Sequence, residues 1–548
     1  MRLVWLDRFP TGITNDELHF VLNAKAVFYR FTNMANNWHP LSLKTIPNET
    51  SSELPFLLIA PWVGPLPTTL FLARLPYAIN GLFTVYLLYL ITKLLTSRTL
   101  ALITTLIAAL NPWMIFVNRT SFDAPLALGF LLWGFYLLLR LRSNWLYLSL
   151  IPLLLGFYCY IGTKTIWFPY VLIIAIFSYR HRRCYRSQLW LIVILSLFFY
   201  LSYGLIVARK SLRTTELLSP FSGQINQQVA QEKNQSLQNP FKLLLTNNLT
   251  VYFKTFIFKY LNNFSPEILF TTGDHTFYLS LWRHGYFYYL DFLLIVFGLL
   301  FFYIKFTHIF YLLLFLIALS PLPEAIRRDQ LPAYAFHSVL QYPFFYILIS
   351  GGIIILTQNL KNRFRLAVLF LLYCLSWFNF LDIYFFKYPV FQPEGFDFSR
   401  RLLSRYLFFE SRKSVSIVVL AKEPNSLFRN YLFYNNLYTS ASFNDIQNIY
   451  RSDINTINFR QITFTNLDRQ FQPKNFQTII VDRHLNYNHY FPNKYSINHL
   501  ADNHELFAVF QCKTCSGLRL EPFSHHLNLF DLDIEGQNEA KFCAKFIH

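Results

Sequence analysis

Two adjacent acids, Asp16 and Glu17, are the first residues that could do chemistry in this chain of 548 residues, which contains only 29 acids. They follow the turn signal Pro10-Thr11-Gly12 and open a helical pattern. Its apolar residues recur at three- and four-residue spacing: Phe20, Val21, Ala24, Val27 and Phe28. A carboxylate here can act as a general base, although acids in a first turn also simply cap a helix. The pair therefore either takes part in a reaction or caps the helix, and for Glu17 the choice is between orienting an acceptor and capping.

Three cations stand at the ends of apolar segments, where they can meet an anion. Arg74 lies inside an apolar run near its start, and Arg119 and Lys164 stand at two other ends. Arginine binds phosphate through its planar fork, and lysine binds it as a point charge. The alternative for each residue is that its long side chain extends to the membrane surface only to place its charge in water. We predict that the three bind a phosphate at the membrane surface.

A third acid, Asp123, begins another apolar segment. Together with Asp16 or Glu17 it would offer the oxygen ligands that Mg²⁺ or Mn²⁺ prefers. The sequence demands no cofactor, so a divalent cation at Asp123 is left open as an alternative.

These residues are set among long apolar segments. Of all residues, 54% are hydrophobic and 14% are charged, against roughly 25% charged in soluble proteins. A helix needs about 20 apolar residues to cross a bilayer, and backbone polar groups inside lipid must be paired. Ten segments are predicted to span the membrane: 68–94, 99–117, 121–140, 145–161, 165–180, 188–208, 286–306, 308–322, 339–358 and 364–387. The predicted fold class is a polytopic α-helical membrane protein with about ten or eleven transmembrane helices.

Basic residues fall in alternate loops between these segments, which marks the cytoplasmic side. These loops contain Lys93, Arg98, Arg140, Arg142, Arg180, Arg182, Arg183, Arg186, Lys305, Lys361, Arg363 and Arg365. The external regions are then residues 1–67 (the loop itself from 7 to 67), 209–285, 323–338 and the tail 388–548. The net charge of +19 reflects this orientation and an affinity for anionic headgroups of the bilayer. Its dispersal through loops argues against a nucleic-acid partner.

The segment before the first predicted span has no evident means of crossing the membrane. Residues 1–9 are too short to span a bilayer and lack the apolar core of a signal peptide. We therefore expect a further helix upstream of Met1, which the upstream coding sequence would reveal.

The tail from 388 to 548 changes character. Short β-rich runs at 415–420, 462–464, 478–481 and 506–510 alternate with helical stretches such as 399–409. This predicts a soluble external α/β domain after a transmembrane catalytic domain of residues 1–387. Cys512-Lys-Thr-Cys515, with Cys543 the only nearby thiol, indicates a disulfide or two free thiols rather than a zinc site.

Several short motifs, taken in order, resemble the C-type glycosyltransferases. The stretch Phe9-Pro-Thr-Gly-Ile-Thr-Asn-Asp16-Glu17 looks like the opening of the branch that contains protein O-mannosyltransferases and the aminoarabinose transferase of lipid A. Later motifs keep the order of the bacterial members: Ala73-Arg74-Leu-Pro76 with Asn80-Gly81, Asn111-Pro-Trp113, Asn118-Arg119-Thr, Phe122-Asp123, Tyr160 to Pro169, Asn263 to Phe270, Gly273-Asp274 and His284-Gly285. The resemblance covers about residues 3–390.

The resemblance implies an inverting, mannosyltransferase-like glycosyltransferase of a bacterial cell envelope, located in the cytoplasmic membrane. In that family the aspartate of the first external loop is the catalytic base, which corresponds to Asp16. The donor would be a polyprenyl-phosphate sugar, and the acceptor a protein, lipid or glycan. The external domain would contact the acceptor or a neighbouring protein.

One departure concerns His337, because related bacterial proteins have an arginine near this position. A histidine can still bind the donor phosphate, but its charge depends on pH. A plain interfacial histidine is the alternative.

A transporter or flippase of a lipid-linked sugar is the alternative from a different class. Such proteins show internal repeats and helices broken at the membrane midplane. We find no repeat in the sequence, and the ionisable residues gather at the predicted outer surface, which favours the enzyme.

Overall fold

A computed structural model describes most of the chain. The described residues are 1–40, 52, 54–181, 186–207, 217–237, 240–274, 276, 280–328, 334–358, 363–413, 416–451, 455–466, 476–483, 485, 495–510, 512–516 and 527–548. Arg182, Arg183 and Lys361 of the predicted basic loops, and Val415 of the first predicted strand, lie outside these ranges.

The first part of the chain is helical. Its helices are α1 (Asn15–Arg30), α2 (Leu54–Val63), α3 (Leu70–Leu95), α4 (Arg98–Leu110), α5 (Pro112–Val117), α6 (Asp123–Arg140), α7 (Leu150–Cys159), α8 (Ile161–His181), α9 (Arg186–Val207), α10 (Gly223–Gln235), α11 (Lys242–Leu245), α12 (Asn248–Asn262), α13 (Tyr289–Lys305), α14 (Thr307–Leu319), α15 (Leu322–Ala325), α16 (Gln341–Gln358), α17 (Arg363–Asp382) and α18 (Tyr388–Phe391). All ten predicted spans contain helix.

Among the described residues, six stretches of helix are long and apolar enough to cross a membrane, judged by length and composition. They are Leu70–Leu95, Asp123–Arg140, Ile161–Arg180, Ser187–Leu205, Thr307–Ala325 and Ala367–Phe391. Four further predicted spans correspond to shorter helices: α4, the run Trp145–Cys159, α13 and α16. The predicted class of helical membrane protein is therefore confirmed.

One predicted span is not continuous. The segment 99–117 divides into α4 and α5, because the side chain of Asn111 accepts the Met114 N–H at 2.9 Å and starts a new helix. Pro112 suits the first position of α5, since it has no N–H to leave unpaired. Helix α2 was not predicted, and it lies within the region 7–67 that is predicted to be external.

Glycines allow helices α13 and α16 to come into close contact. A Cβ on Gly298 of α13 would lie 2.0 Å from the carbonyl oxygen of Leu348, and a Cβ on Gly352 of α16 would lie 2.0 Å from that of Leu294. The two backbones therefore touch at both places, as small residues permit between membrane helices.

The tail forms a mixed α/β domain, as predicted. It contains α19 (Phe398–Ser411), α20 (Pro424–Tyr434), α21 (Phe443–Arg451) and α22 (Glu539–Phe546), with strands β1 (Ile417–Leu420), β2 (Thr456–Phe459), β3 (Ile462–Thr465), β4 (Thr478–Asp482), β5 (Tyr495–Asn498) and β6 (Glu505–Phe510). The sheet order is β2-β3-β1-β4-β6-β5. Strand β1 pairs in parallel with β3 and β4, and the outer pairs are antiparallel.

The cysteine prediction for this domain needs a correction. The disulfide joins Cys515 to Cys543, while Cys512 is buried and is not part of that disulfide. The two cysteines of the CxxC motif are thus not partners. A disulfide is typical of oxidising compartments, in line with the predicted external position of the domain.

The four regions predicted to be external meet at one end of the bundle. Arg401 of the tail donates to the Thr11 carbonyl in the first region. The Leu218 N–H donates to the Ile326 carbonyl at 2.8 Å, which joins the second region to the third. Asp16 and Arg327, from the first and third regions, lie within electrostatic range of each other.

Candidate active site

The start of α1 is fixed by a capping box. The Glu17 N–H donates to the Thr14 hydroxyl at 3.2 Å, and the Thr14 N–H donates to the Glu17 carboxylate at 3.0 Å. This reciprocal pair satisfies two backbone donors at the helix start. It also sets the directions in which Asp16 and Glu17 leave the helix.

Glu17 is a structural residue in this arrangement. Its carboxylate is completely buried and lies 3.4 Å from the Arg74 Nε. It also accepts the Ser121 N–H at 2.8 Å. Glu17 therefore joins α1 to α3 and to the connection between α5 and α6. Of the two roles expected for it, the geometry favours the cap over acceptor binding.

The environment of Asp16 is different from that of Glu17. Its side chain is exposed, and it makes no hydrogen bond or ion pair with any residue that the structure describes. The surrounding protein raises the pKa of Asp16 by desolvation, and the nearby His19 and Arg327 partly oppose this. An accessible, unpaired carboxylate with a raised pKa is what a general base requires.

Asp123 is the second acid of the site. It begins α6 and is largely buried. Its carboxylate lies within electrostatic range of Asp16 and of Lys164. Asp16 and Asp123 therefore form a pair of neighbouring carboxyl groups, with Lys164 near the second.

The sequence offered Asp16 or Glu17 as the partner of Asp123 in a divalent cation site. The Glu17 carboxylate is held by Thr14, Arg74 and Ser121, which leaves Asp16 as the candidate partner. Another group of metal-type ligands among the described residues, His499, Asp502 and His504, follows β5 in the C-terminal domain.

Arg327 is a functional candidate that sequence reasoning did not select. Its Nη1 lies 3.5 Å from the His337 Nδ1, and its guanidinium is 5.2 Å from the centre of the Tyr334 ring. Its carbonyl accepts a hydrogen bond from the Lys259 Nζ at 2.9 Å. The adjacent arginines Arg327-Arg328, in a loop predicted to be external, were the available signal.

His337 lies beside this arginine rather than alone at an interface. Its Nδ1 is 2.6 Å from the Glu324 carboxylate, and its ring stacks on Tyr160 with 5.8 Å between centroids. Asp274 fastens the same loop, since its carboxylate accepts the Ala335 N–H at 2.8 Å. The His337 ring therefore lies in contact with both Glu324 and Arg327, where it can help to orient the arginine.

Lys164 sits in an aromatic cage at the start of α8. Its Nζ lies 5.3 Å from the Tyr203 ring centre, 5.8 Å from that of Phe157 and 6.0 Å from that of Tyr158. It also donates to the Tyr203 hydroxyl at 3.0 Å. Aromatic faces attract a cation, and these rings hold the Lys164 ammonium within electrostatic range of Asp123.

The two remaining predicted phosphate ligands prove to be structural. Arg74 is fully buried, and besides Glu17 it donates to the carbonyls of Leu6, Pro10 and Gly12. Arg119 is fully buried as well. Its donors are used by the Tyr384 hydroxyl and by the carbonyls of Met1, Val4, Trp5 and Phe9. Both guanidiniums organise the chain ahead of Asp16, because buried carbonyls of an irregular segment need donors.

No protein-family model matches the chain, and no curated protein matches it. Among solved structures, the chain is similar to ArnT from Cupriavidus metallidurans in the apo state, with a TM-score of 0.46 and 10% identity over 91% of this chain and 94% of that one. It is similar to the same protein bound to undecaprenyl phosphate, with a TM-score of 0.40 and 10% identity over 94% and 97% of the two chains. It is also similar to the archaeal oligosaccharyltransferase AglB from Archaeoglobus fulgidus, in complex with an inhibitory peptide and a dolichol-phosphate. In that case the TM-score is 0.42 and the identity 10%, over 86% of this chain and 66% of that one.

Proposed function

We propose that this protein is a membrane glycosyltransferase that moves a sugar from a polyprenyl-phosphate donor to an acceptor hydroxyl, with Asp16 as the general base. The proposal rests on the environment of the Asp16 carboxylate. Its carboxylate is exposed and unpaired among the described residues, although a buried acid is held tightly beside it. Cations from two other elements, Arg327 and Lys164, lie near the pair of acids.

The step is a direct displacement at the anomeric carbon. Asp16 takes the proton from the acceptor hydroxyl, and the acceptor oxygen forms the new bond to the anomeric carbon. The bond from that carbon to the phosphate oxygen breaks, and its electron pair leaves with the lipid phosphate. Attack from the opposite face inverts the anomeric centre. General-base assistance of this kind is worth about 10²–10⁴-fold in rate.

The leaving phosphate gains negative charge as the bond breaks, so fixed cations nearby would stabilise the transition state. Arg327 and Lys164 are the candidates, because Arg327 lies near Asp16 and Lys164 lies near Asp123. His337 and Glu324 would orient Arg327. Arg74 and Arg119 have no part in this step, since the protein itself uses their donors.

The lipid part of the donor fits the apolar surface beside the site. Helices α11 and α12 expose Leu243, Leu244, Leu249, Phe253 and Ile257. The Lys259 of α12 donates to the Arg327 carbonyl at 2.9 Å. An amphipathic helix of this kind lies in the membrane interface, so the lipid surface would adjoin the arginine that meets the phosphate.

If a divalent cation binds, Asp16 and Asp123 would hold it, and it would supply neutralisation of their like charges. The displacement above needs no contribution from it. His19 and Arg327 near Asp16, and Lys164 near Asp123, already offset part of the repulsion between the two carboxylates.

The proposal is tested with the purified protein in liposomes that contain a polyprenyl-phosphate hexose with a radiolabelled sugar, mannose first. The expected result is label on an acceptor together with release of the lipid phosphate, which requires cleavage of the anomeric bond. Intact donor that crosses the bilayer without cleavage would contradict the enzyme and favour the flippase.

A further inference from the structure

The turn that precedes Asp16 is held from both sides by buried arginines. Arg74 of α3 donates to the Pro10 carbonyl at 2.8 Å and to the Gly12 carbonyl. The carbonyl between them, that of Thr11, accepts from Arg401 of α19. Three consecutive carbonyls are thus bound alternately by the membrane part and by the C-terminal domain.

The Arg401 side chain is buried and is held in one orientation by its neighbours. Only 1% of its side chain is exposed, and its Nε donates to the Glu535 carboxylate at 2.8 Å, with a second bond from Nη2 to the same group. Its guanidinium also lies 5.7 Å from the centre of the Tyr434 ring. A bidentate carboxylate fixes the plane of the guanidinium, so its remaining nitrogen is aimed at the Thr11 carbonyl.

Other contacts join the C-terminal domain to the same segment. The Ser426 hydroxyl of α20 donates to the Asn15 side chain, immediately before Asp16. Gly12 packs so closely on the segment before α19 that a Cβ would lie 2.0 Å from the Phe396 carbonyl oxygen. Phe433 of α20 joins a buried cluster with Ile13 and Leu18, which flank the acids.

We propose that the C-terminal domain is a positioning part of the catalytic unit, in which Arg401 fixes the 10–14 turn and thereby the direction of Asp16. This differs from a domain that only binds acceptor. Arg401 is a positioning residue, because it acts through the turn and does not face the reacting groups. The inference rests on the proposed role of Asp16, and its test separates the two claims.

The test compares Arg401→Gln with Arg483→Gln in the full-length protein in detergent. Arg483 also pairs with a glutamate of the same domain, Glu505, but it lies at the sheet and is partly exposed. Hydrogen–deuterium exchange of the peptide covering residues 9–18 reports the turn directly. We expect exchange there to be about tenfold faster in Arg401→Gln and unchanged in Arg483→Gln.

Sugar transfer by the same proteins gives the functional part. A turn displaced by about an ångström is expected to lower kcat about 10- to 100-fold, while the donor KM stays within about twofold because the cations are untouched. Unchanged exchange at residues 9–18 would overturn the inference. Faster exchange with wild-type kcat would overturn it equally, since the position of the turn would then be irrelevant.

Arg401→Lys covers the case in which the glutamine variant fails to fold. A single ammonium cannot satisfy both Glu535 and Thr11 as the planar fork does, so intermediate exchange and intermediate kcat are expected. A folded lysine variant with wild-type exchange and kcat would then contradict the inference. If wild type itself transfers no sugar while the exchange result holds, the proposed function fails and the structural clamp stands.

Discussion

Asp16 and Glu17 are adjacent in the chain, but their carboxylates occupy opposite environments. Glu17 is completely buried and lies 3.4 Å from Arg74, while Asp16 is exposed and unpaired among the residues that the structure describes. Neighbouring positions on a helix are about 100° apart and face different surroundings. One acid therefore holds the site together, and the other is available for chemistry.

The first prediction follows from this division. Glu17→Ala leaves the Arg74 guanidinium buried without its carboxylate, and breaking a buried pair costs about 3–5 kcal/mol. We expect a clear loss of thermal stability in detergent. Asp16→Ala removes no hydrogen bond or ion pair to a described residue, so its melting temperature should stay close to wild type. Equal losses in the two variants would contradict the assignment.

The second prediction concerns pH. Asp16 acts only when deprotonated, so kcat/KM should fall as the pH drops through its raised pKa. Arg327 opposes that rise in the Asp16 pKa. Arg327→Gln should therefore move the acidic limb of the pH profile of kcat/KM to higher pH, by roughly one unit at most.

Arg328→Gln is the matched control, since it removes the adjacent, exposed arginine. It should leave the acid limb in place. If the acidic limb of the pH profile does not shift in Arg327→Gln, Arg327 does not face the base.

The third prediction uses Gly12. Gly12→Ala places a methyl group 2.0 Å from the Phe396 carbonyl oxygen, so the turn must shift or the domain must move. Overpacking of this kind costs about 1–3 kcal/mol, and transfer should fall as well. Gly223→Ala adds a methyl group with nothing within 4 Å and should match wild type in stability and transfer. Wild-type behaviour of Gly12→Ala would mean that the close contact is not maintained in solution.

The fourth prediction assigns Lys164 to the donor. Lys164→Met keeps an apolar stem inside the aromatic cage but removes the charge. The donor KM should rise about tenfold, equivalent to about 1.4 kcal/mol of phosphate binding. Lys93 is a suitable control, because its Nζ also lies over an aromatic ring, that of Tyr89 at 5.8 Å, but in the last turn of α3, at the end predicted to be cytoplasmic. A rise of equal size in Lys93→Met would exclude a specific role for Lys164.

Much of the fold follows from the sequence because apolar length and turn residues are local signals. Every predicted span contains helix, and the four predicted strands appear as β1, β3, β4 and β6. The strands that were missed, β2 and β5, contain Asn458 and Asn498, and asparagine is depleted in strands. Their pairing across the sheet stabilises them more than their own propensity does.

The site was harder to predict, since its partners are distant in the chain. An arginine in an apolar run has the same sequence signature whether it binds a phosphate or a set of backbone carbonyls, and Arg74 and Arg119 do the second. Arg327 was visible only as one of two loop arginines until the fold brought it near Asp16. Cys515 likewise bonds to Cys543 rather than to its neighbour in the motif.

The most direct test of the account is sugar transfer from a radiolabelled polyprenyl-phosphate hexose by wild type and by Asp16→Asn, at equal amounts of folded protein. The asparagine has nearly the shape of aspartate but cannot take the acceptor proton. We predict a loss of kcat of about 10²–10⁴-fold with unchanged melting temperature. Full transfer by the folded Asp16→Asn protein would show that Asp16 is not the base and would contradict the central claim.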